Sequence, residues 1–194
     1  MAIHENSFEK RHCRVSGVFE YHSKSHKDSR GEFRRHFALE EIVEFLPGGV
    51  KHANLAVSVS KNTFRGMHYQ IRPFAETKLI SCLVGDVVDF VVDVRADSPT
   101  FLKSDAIRLS PERCNALLVP PGVANGYLTS HESSVVHYYS SREYDVASER
   151  GFRFDDPLIK LELECVPTVI SAKDASWPNL ILEDLMQQVF DNLK

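Results

Sequence analysis

The chain has 194 residues, of which 43% are hydrophobic and 26% charged, and its formal net charge is −4. These values are those of one globular domain and exclude collagen-like, coiled-coil and disordered chains. No apolar run approaches the ~20 residues of a transmembrane helix, and the polar N-terminus lacks the apolar core of a signal peptide. The four cysteines form no CxxC pair, which is typical of reduced thiols in a cytoplasmic protein.

Charge is distributed unevenly along the chain. Residues 10–35 contain eight Lys or Arg and three acidic residues, whereas residues 143–194 contain eleven acidic and five basic residues. The negative total argues against general nucleic-acid binding, so we expect no nucleic-acid partner. A basic arm on an acidic chain suggests a small anionic ligand such as a phosphate, although a solvated surface arm is favoured on charge alone.

The predicted elements begin with an N-terminal arm over residues 1–50. Residues 1–36 are polar, and we expect an irregular segment with short strand pieces. Ala38–Phe45 is predicted to form a short helix, which ends at Pro47 and the two glycines after it.

Residues 51–165 are predicted to form a β-barrel. Runs of β-branched and apolar residues alternate with turn signals every ~8–12 residues, which is typical of an all-β sandwich or barrel. These runs lie at 55–60, 78–84, 87–94, 106–109, 116–119 and 134–139. Residues 166–194 are predicted to be a tail that ends in an amphipathic helix, because the apolar residues from Leu180 to Leu193 fall near helical spacing.

Two segments indicate which β fold this is. Arg65–Gln70 and Pro120–Tyr127, the latter predicted to be a tight turn between two strands, look like a degenerate pair of cupin motifs. Metal-binding cupins carry three His at the positions that His68, Gln70 and Asn125 occupy here. One histidine is too few for a transition-metal site, which needs about three protein ligands. The sequence therefore predicts a single, mainly β domain, a cupin-type jelly-roll sandwich or barrel, with a metal-free pocket.

A metal-free pocket must work with ordinary acids, bases and hydrogen bonds. Candidate groups near the strand ends are Arg65, His68, Lys78, Tyr138 and Tyr144. An Arg suits a phosphate, a His can remove a proton near neutral pH and a Tyr can return one. A Lys can stabilise a developing enolate oxygen. This set of groups fits proton transfer at a carbon next to a carbonyl.

Over about residues 28–175 the sequence resembles the dTDP-4-dehydrorhamnose 3,5-epimerase family. The ordered matches are Asp28–Gly31, Arg65–Gln70, Lys78–Ile80, Gly85–Asp89, Asp93–Arg95, Ser98–Phe101, Pro121–Gly122, Gly126–Tyr127 and Ser171–Asp174. The resemblance implies a cupin-type jelly roll, a homodimer with exchanged arms, and no metal or organic cofactor. It also implies a nucleotide-linked 4-keto-6-deoxy sugar as the substrate.

The resemblance also implies roles for individual residues. His68 matches the general base that removes the proton at C3 or C5, and Asp174 matches the carboxylate that orients it. Tyr138 matches the acid that reprotonates the opposite face, and Lys78 matches the group beside the 4-keto oxygen. The substrate-binding positions are Arg30 and Arg65 at the diphosphate, Tyr144 stacked on the base, and Phe33, Arg35, Asn125, Glu149 and Lys173 as further contacts.

Some positions depart from the family pattern. Asn125 replaces a pocket His, so it can donate a hydrogen bond but cannot carry a proton. Arg35 replaces a base-reading Glu, and Ala53–Leu55 replaces a Gln-x-Asn triplet. Guanosine or cytidine diphosphate sugars are therefore alternatives to thymidine. A sugar-nucleotide 3,4-ketoisomerase and a non-catalytic binding cupin are further alternatives.

Overall fold

The computed structural model describes residues 8–46 and 48–188. Its strands are β1 (Phe8–His12), β2 (Phe19–Ser23), β3 (Ser25–Asp28), β4 (Gly31–Arg34), β5 (His52–Ser58), β6 (Thr63–Gln70), β7 (Lys78–Val84), β8 (Val87–Asp93), β9 (Ser104–Leu109), β10 (Asn115–Val119), β11 (Val123–Thr129), β12 (Ser134–Ser140), β13 (Glu149–Gly151) and β14 (Val169–Ile170). Its helices are α1 (Leu39–Ile42), which a 3₁₀ turn (Val43–Phe45) continues, α2 (Ala172–Ala175) and α3 (Leu182–Gln187).

Two antiparallel sheets form the body of the fold. One, called the larger sheet, has six strands in the order β1-β2-β10-β7-β12-β5. The other, called the smaller sheet, has β13-β6-β11-β8-β9 in that order and β14 as a sixth strand parallel to β6. Strands β3 and β4 form a separate hairpin. No helix in the described part of the chain is long and apolar enough to cross a membrane.

Apolar packing covers both faces of each sheet. One cluster lies between the sheets and joins Ile80 and Leu117 of the larger sheet to Val91 of the smaller. A second covers the outer face of the smaller sheet with Phe152 and Leu185 from the C-terminal segment. A third places Ile42 and its neighbours against the outer face of the larger sheet. Because both its faces are covered, β8 is buried along its whole length, as its nearly unbroken apolar sequence predicts.

Most of the predicted elements are confirmed. The runs at 55–60, 78–84, 87–94, 106–109, 116–119 and 134–139 all coincide with strands, and the predicted helix at Ala38–Phe45 is α1 with its 3₁₀ turn. The strand pieces expected in residues 1–36 are present. Two of them, β1 and β2, are part of the larger sheet, because β2 pairs with β10.

Two predictions at element boundaries are wrong. The tight turn predicted over Pro120–Tyr127 ends at Gly122, since β11 begins at Val123 and is buried throughout. The C-terminal helix is also shorter than predicted, because Gln188 is already extended with φ −77° and ψ 135°. Within α3 only Leu185 is buried, so the core holds little of the predicted apolar stripe. Residues 189–193 of that prediction lie outside the described residues.

A glycine pair brings β6 and β11 together at the level of the cupin motifs. A Cβ added to Gly66 would lie 2.4 Å from the Cα of Gly126, and Gly66 has φ +133°. The register of the pair shifts between Asn125 and Tyr127, which leaves Asn125 directly opposite His68. The close approach therefore sets two candidate site residues side by side.

Candidate active site

A cleft between the two sheets collects most of the candidate residues. It contains a cavity of about 470 Å³, and a neighbouring cavity of about 360 Å³ shares His68, Lys78 and Tyr138 with it. Both volumes fall in the range of small-molecule sites. The larger cavity is also lined by Arg65, Asn125, Lys173 and Asp174, and the smaller by Tyr144 and Glu149.

The strongest polar contact in the cleft joins His68 of β6 to Asp174 of α2. The Nε2 atom of His68 lies 2.7 Å from Oδ1 of Asp174, whose side chain is 6% exposed. The backbone N–H of Gly66 donates to Oδ2 of Asp174 at 3.4 Å. Ser171 caps α2 by accepting a hydrogen bond from the backbone N–H of Asp174 at 3.0 Å, as Ser favours at an N-cap. The carboxylate is therefore held by His68 and Gly66, and the cap fixes the backbone that carries it.

The environment of Asp174 keeps it ionised. Burial alone would raise its pKa, but the hydrogen bond and charge of His68, with further hydrogen bonds from Gly66 and Ser171, lower the pKa below its usual value. An ionised carboxylate can only accept, so Nε2 of His68 carries the hydrogen of this bond. The other ring nitrogen, Nδ1, is then the atom that can take a proton.

Lys78 and Asn125 form the second polar group of the cleft. The ammonium of Lys78 donates to Oδ1 of Asn125 at 3.0 Å and lies 3.4 Å from Oε1 of Glu76. Because the amide oxygen of Asn125 is occupied, its N–H₂ group is what remains for hydrogen bonding. The pair thus offers a fixed cation and a neutral donor beside each other.

Asp89 of β8 lies beneath this pair and was missed by sequence reasoning. Its side chain is completely buried. Burial raises the pKa of Asp89 to about 8, and the charge of Lys78 and the amide of Asn125 offset this effect only in part. A sequence signal does exist, since Asp89 interrupts the apolar run Val87–Val94.

Tyr138 faces His68 from the other sheet. It lies on β12, opposite Ile80 of β7 and Asn54 of β5, whereas His68 lies on β6 of the smaller sheet. Both side chains line both cavities. The cleft therefore has one group capable of proton transfer on each side.

A charged cluster lies at the mouth of the cleft. Lys173 is 2.6 and 2.7 Å from the two carboxylate oxygens of Glu149, and the Tyr144 hydroxyl donates to Glu149 at 2.8 Å. The hydrogen bond to Glu149 is the main cause that raises the pKa of Tyr144, whose side chain is 58% exposed. Arg65, also exposed, donates to Oγ of Ser58 at 3.1 Å and to the carbonyl of Val57 at 3.0 Å.

Three predicted substrate contacts do not reach this cleft. Arg30 and Phe33 belong to the β3–β4 hairpin and Arg35 follows it, and none of them lines either cavity. Arg30 pairs with Asp28 at 2.6 Å, and Phe33 is 64% exposed. Within the described residues, no group of three or more His, Cys, Asp or Glu side chains could hold a metal ion.

The chain is similar to known proteins along most of its length. A family model described as dTDP-4-dehydrorhamnose 3,5-epimerase matches residues 12–181. A Shigella flexneri protein of that name is 32% identical over 171 residues, which cover 88% of this chain and 94% of the relative. A Sinorhizobium fredii protein of the same name is 38% identical over 133 residues, 68% of each chain.

A solved structure has the same architecture. The dTDP-6-deoxy-D-glucose-3,5-epimerase of Legionella pneumophila, in complex with dTDP-4-keto-L-rhamnose, is 28% identical and superposes with a TM-score of 0.84. The match covers 92% of this chain and 96% of that one. Similarity at this level confirms the predicted mainly β, cupin-type jelly roll.

Proposed function

The chain belongs to the dTDP-4-dehydrorhamnose 3,5-epimerase family, and we propose that it inverts C3 and C5 of a dTDP-linked 4-keto-6-deoxy sugar. An enzyme with this activity is an isomerase. The observation that supports this proposal best is the His68–Asp174 pair opposite Tyr138 in one cleft. Inversion needs proton removal on one face of the sugar and delivery on the other, so two groups must flank it.

The comparisons favour thymidine as the nucleoside. The Legionella pneumophila structure holds a dTDP-linked sugar, and the relatives reported above are named for dTDP-linked substrates. None of them supports guanosine or cytidine. Arg35 lies outside the cleft of its own chain, so its charge reversal bears on the choice of nucleoside only through the cleft of a partner subunit.

The first step is proton removal beside the 4-keto group. Nδ1 of His68 takes the proton, and the ionised Asp174 on Nε2 stabilises the imidazolium that forms. A histidine has an ordinary pKa near 6.5, which suits a general base at neutral pH. General-base assistance of this kind is typically worth ~10²–10⁴-fold in rate.

The second requirement is stabilisation of the enolate. Removal of the proton moves negative charge onto the 4-keto oxygen, which the Lys78 ammonium and the Asn125 amide N–H₂ can both contact. A preorganised donor of this type lowers a barrier by roughly 3–4 kcal/mol. The hydrogen bond between Lys78 and Asn125 holds both donors in position before the substrate arrives.

The last step is reprotonation from the opposite side. Tyr138 gives its phenolic proton to the carbon, which completes the inversion and leaves a phenolate. The phenolate then regains a proton from solvent, while His68 loses its proton to solvent. Each inverted centre therefore acquires a hydrogen that came from water.

The remaining predicted contacts fit a homodimer. Arg30, Phe33 and Arg35 would bind substrate in the partner's cleft if the β3–β4 hairpin is exchanged between subunits, as the family resemblance implies. Leu55 and Val57 form an exposed apolar strip on β5, the edge strand of the larger sheet, and Val59 continues it. An exposed apolar edge strand is a common interface for a second copy. A cytoplasmic location would suit the four free thiols.

The proposal is tested by NMR of the reaction in deuterated water. With a dTDP-linked 4-keto-6-deoxy sugar, we expect inverted product with deuterium at C3 and C5. The matched GDP- and CDP-linked sugars should react far more slowly. Absence of exchange with every nucleotide would refute the proposal, and a moved carbonyl without inversion would favour the ketoisomerase. Sedimentation at assay concentration should give a dimer mass, and a monomer would refute the exchanged-arm assignment.

A further inference from the structure

Trp177 lies against the proposed base. It is the only tryptophan in the chain and follows α2, the helix that carries Asp174. The centroids of the His68 and Trp177 rings are 6.2 Å apart, and the two planes meet at 61°, an edge-to-face arrangement. Aromatic rings favour this geometry over a face-to-face stack.

A glycine opposite His68 provides the space for the indole. Gly151 is the residue of β13 that pairs with His68 of β6. A Cβ added to Gly151 would lie 2.5 Å from Cε2 and 2.7 Å from Nε1 of Trp177. Any other residue at this position would therefore displace the indole or the strand.

Packing, and not hydrogen bonding, holds the indole. Its Nε1 atom is buried and makes no hydrogen bond within residues 8–46 and 48–188. The helix beside it is tied to the same region, because Arg153 donates to the carbonyl of Ala175 at 3.1 Å. The indole is thus fixed by contact with His68 and the Gly151 backbone.

We propose that Trp177 is a positioning residue for His68, which fixes the imidazole against Asp174. The proposal rests on the role of His68 as the base in the proposed function. The other charged or titratable groups around His68 are Asp174 and Lys173 of α2, Lys78 of β7, Tyr138 of β12, and Arg65 and Glu149 of the smaller sheet.

Kinetics of three variants test the role in catalysis. Trp177→Leu should lower kcat about tenfold with little change in KM. Trp177→Phe, which keeps an aromatic ring, should recover most of the lost kcat. Gly151→Ala should resemble Trp177→Leu, because it displaces the indole without altering it. A Trp177→Leu enzyme with wild-type kcat, or a Trp177→Phe enzyme as slow as Trp177→Leu, would overturn the proposal.

Fluorescence tests the contact without any substrate and without changing Trp177. A protonated imidazole quenches an adjacent indole, and this chain has one tryptophan. The emission of the wild-type protein should therefore fall as the pH is lowered and imidazole groups become protonated, and His68→Asn should abolish that change. Identical pH curves for wild type and His68→Asn would overturn the proposal. This readout does not depend on turnover, so a failure of the proposed epimerase activity would be distinguishable from a failure of the contact.

Discussion

The substitution Asp174→Asn probes the base most sharply, because it removes one charge at almost constant shape. Asp174 is nearly buried, and its Oδ1 atom lies 2.7 Å from Nε2 of His68. In the variant, the side-chain oxygen of asparagine can accept from the backbone N–H of Gly66, which in the wild type donates to Oδ2 of Asp174. It then presents its N–H₂ group to Nε2, which must accept. The proton moves to Nδ1, and the nitrogen that should act as base is blocked.

The expected loss can be built from two contributions. A hydrogen bond to a charged group contributes roughly 1.5–3 kcal/mol, which is about 10–100-fold in rate if it is lost in the transition state. The wrong tautomer adds to this, and the corresponding Asp→Asn change in the Ser-His-Asp triad, which loses both contributions together, lowers kcat by about 10⁴ and sets the upper limit. We expect kcat to fall about 10³-fold, with KM changed less than about threefold, because Arg65 and Tyr144 are untouched.

The assay is initial-rate NMR of product formation, with Ser171→Ala as the matched control. That control removes the cap of α2 but keeps the carboxylate, so it should cost about 1 kcal/mol of unfolding free energy and less than about tenfold in kcat. An Asp174→Asn enzyme within threefold of the wild-type kcat would refute the orienting role of Asp174. A larger loss in Ser171→Ala than in Asp174→Asn would also contradict it.

Two further predictions concern stability and substrate binding. The pKa of Asp89 is about 8 in the folded chain and near 3.9 in the unfolded chain, so the folded state binds more protons between these pH values. The free energy of unfolding should therefore fall with rising pH, by up to ~1.4 kcal/mol per pH unit. Asp89→Asn should abolish that slope in urea unfolding measured from pH 5 to pH 8, and parallel curves for both proteins would contradict the burial argument. Tyr144→Phe keeps the ring and loses only the hydrogen bond to Glu149, so KM should rise less than about threefold. Tyr144→Ala also loses the stacking of the ring, about one to two kcal/mol, so KM should rise about tenfold. Equal KM values for the two variants would refute stacking on the base.

The elements that sequence reasoning found are those with a strong local pattern. The runs that became β7, β8 and β12 are long and apolar, and a buried strand needs little else to be recognised. The sequence predicts a turn where β11 lies because Pro120, Pro121 and Gly122 precede the strand and Gly126 lies inside it. The pairing of β2 with β10 joins segments about ninety residues apart, and no local pattern encodes it.

The residues of the candidate site were also predicted only in part from the sequence. Motif matching found His68, Lys78 and Tyr138, and the structure brings all three into one cleft. Motif matching could not show that Arg30 lies on a hairpin outside the cleft of its own chain, because this position depends on tertiary contacts. Asp89 is not predicted as a site residue, because the apolar strand around it indicates a core position and its neighbours are known only from the fold.

The contact at Trp177 was missed for a different reason. No motif in the sequence marks Trp177 as part of the site. Its closeness to His68 depends on the absence of a side chain at Gly151, which pairs with His68 across the sheet. Three segments distant in sequence meet there, so no spacing within any one of them predicts the contact.

The central claim is that the base and the acid act from opposite sheets, with His68 on β6 and Tyr138 on β12. The most direct test compares His68→Asn and Tyr138→Phe in deuterated water, with deuterium content and configuration at C3 and C5 followed by NMR. His68→Asn should incorporate no deuterium, whereas Tyr138→Phe should incorporate deuterium with retained configuration and form little inverted product. Inversion at the wild-type rate by Tyr138→Phe, or exchange at the wild-type rate by His68→Asn, would contradict the account.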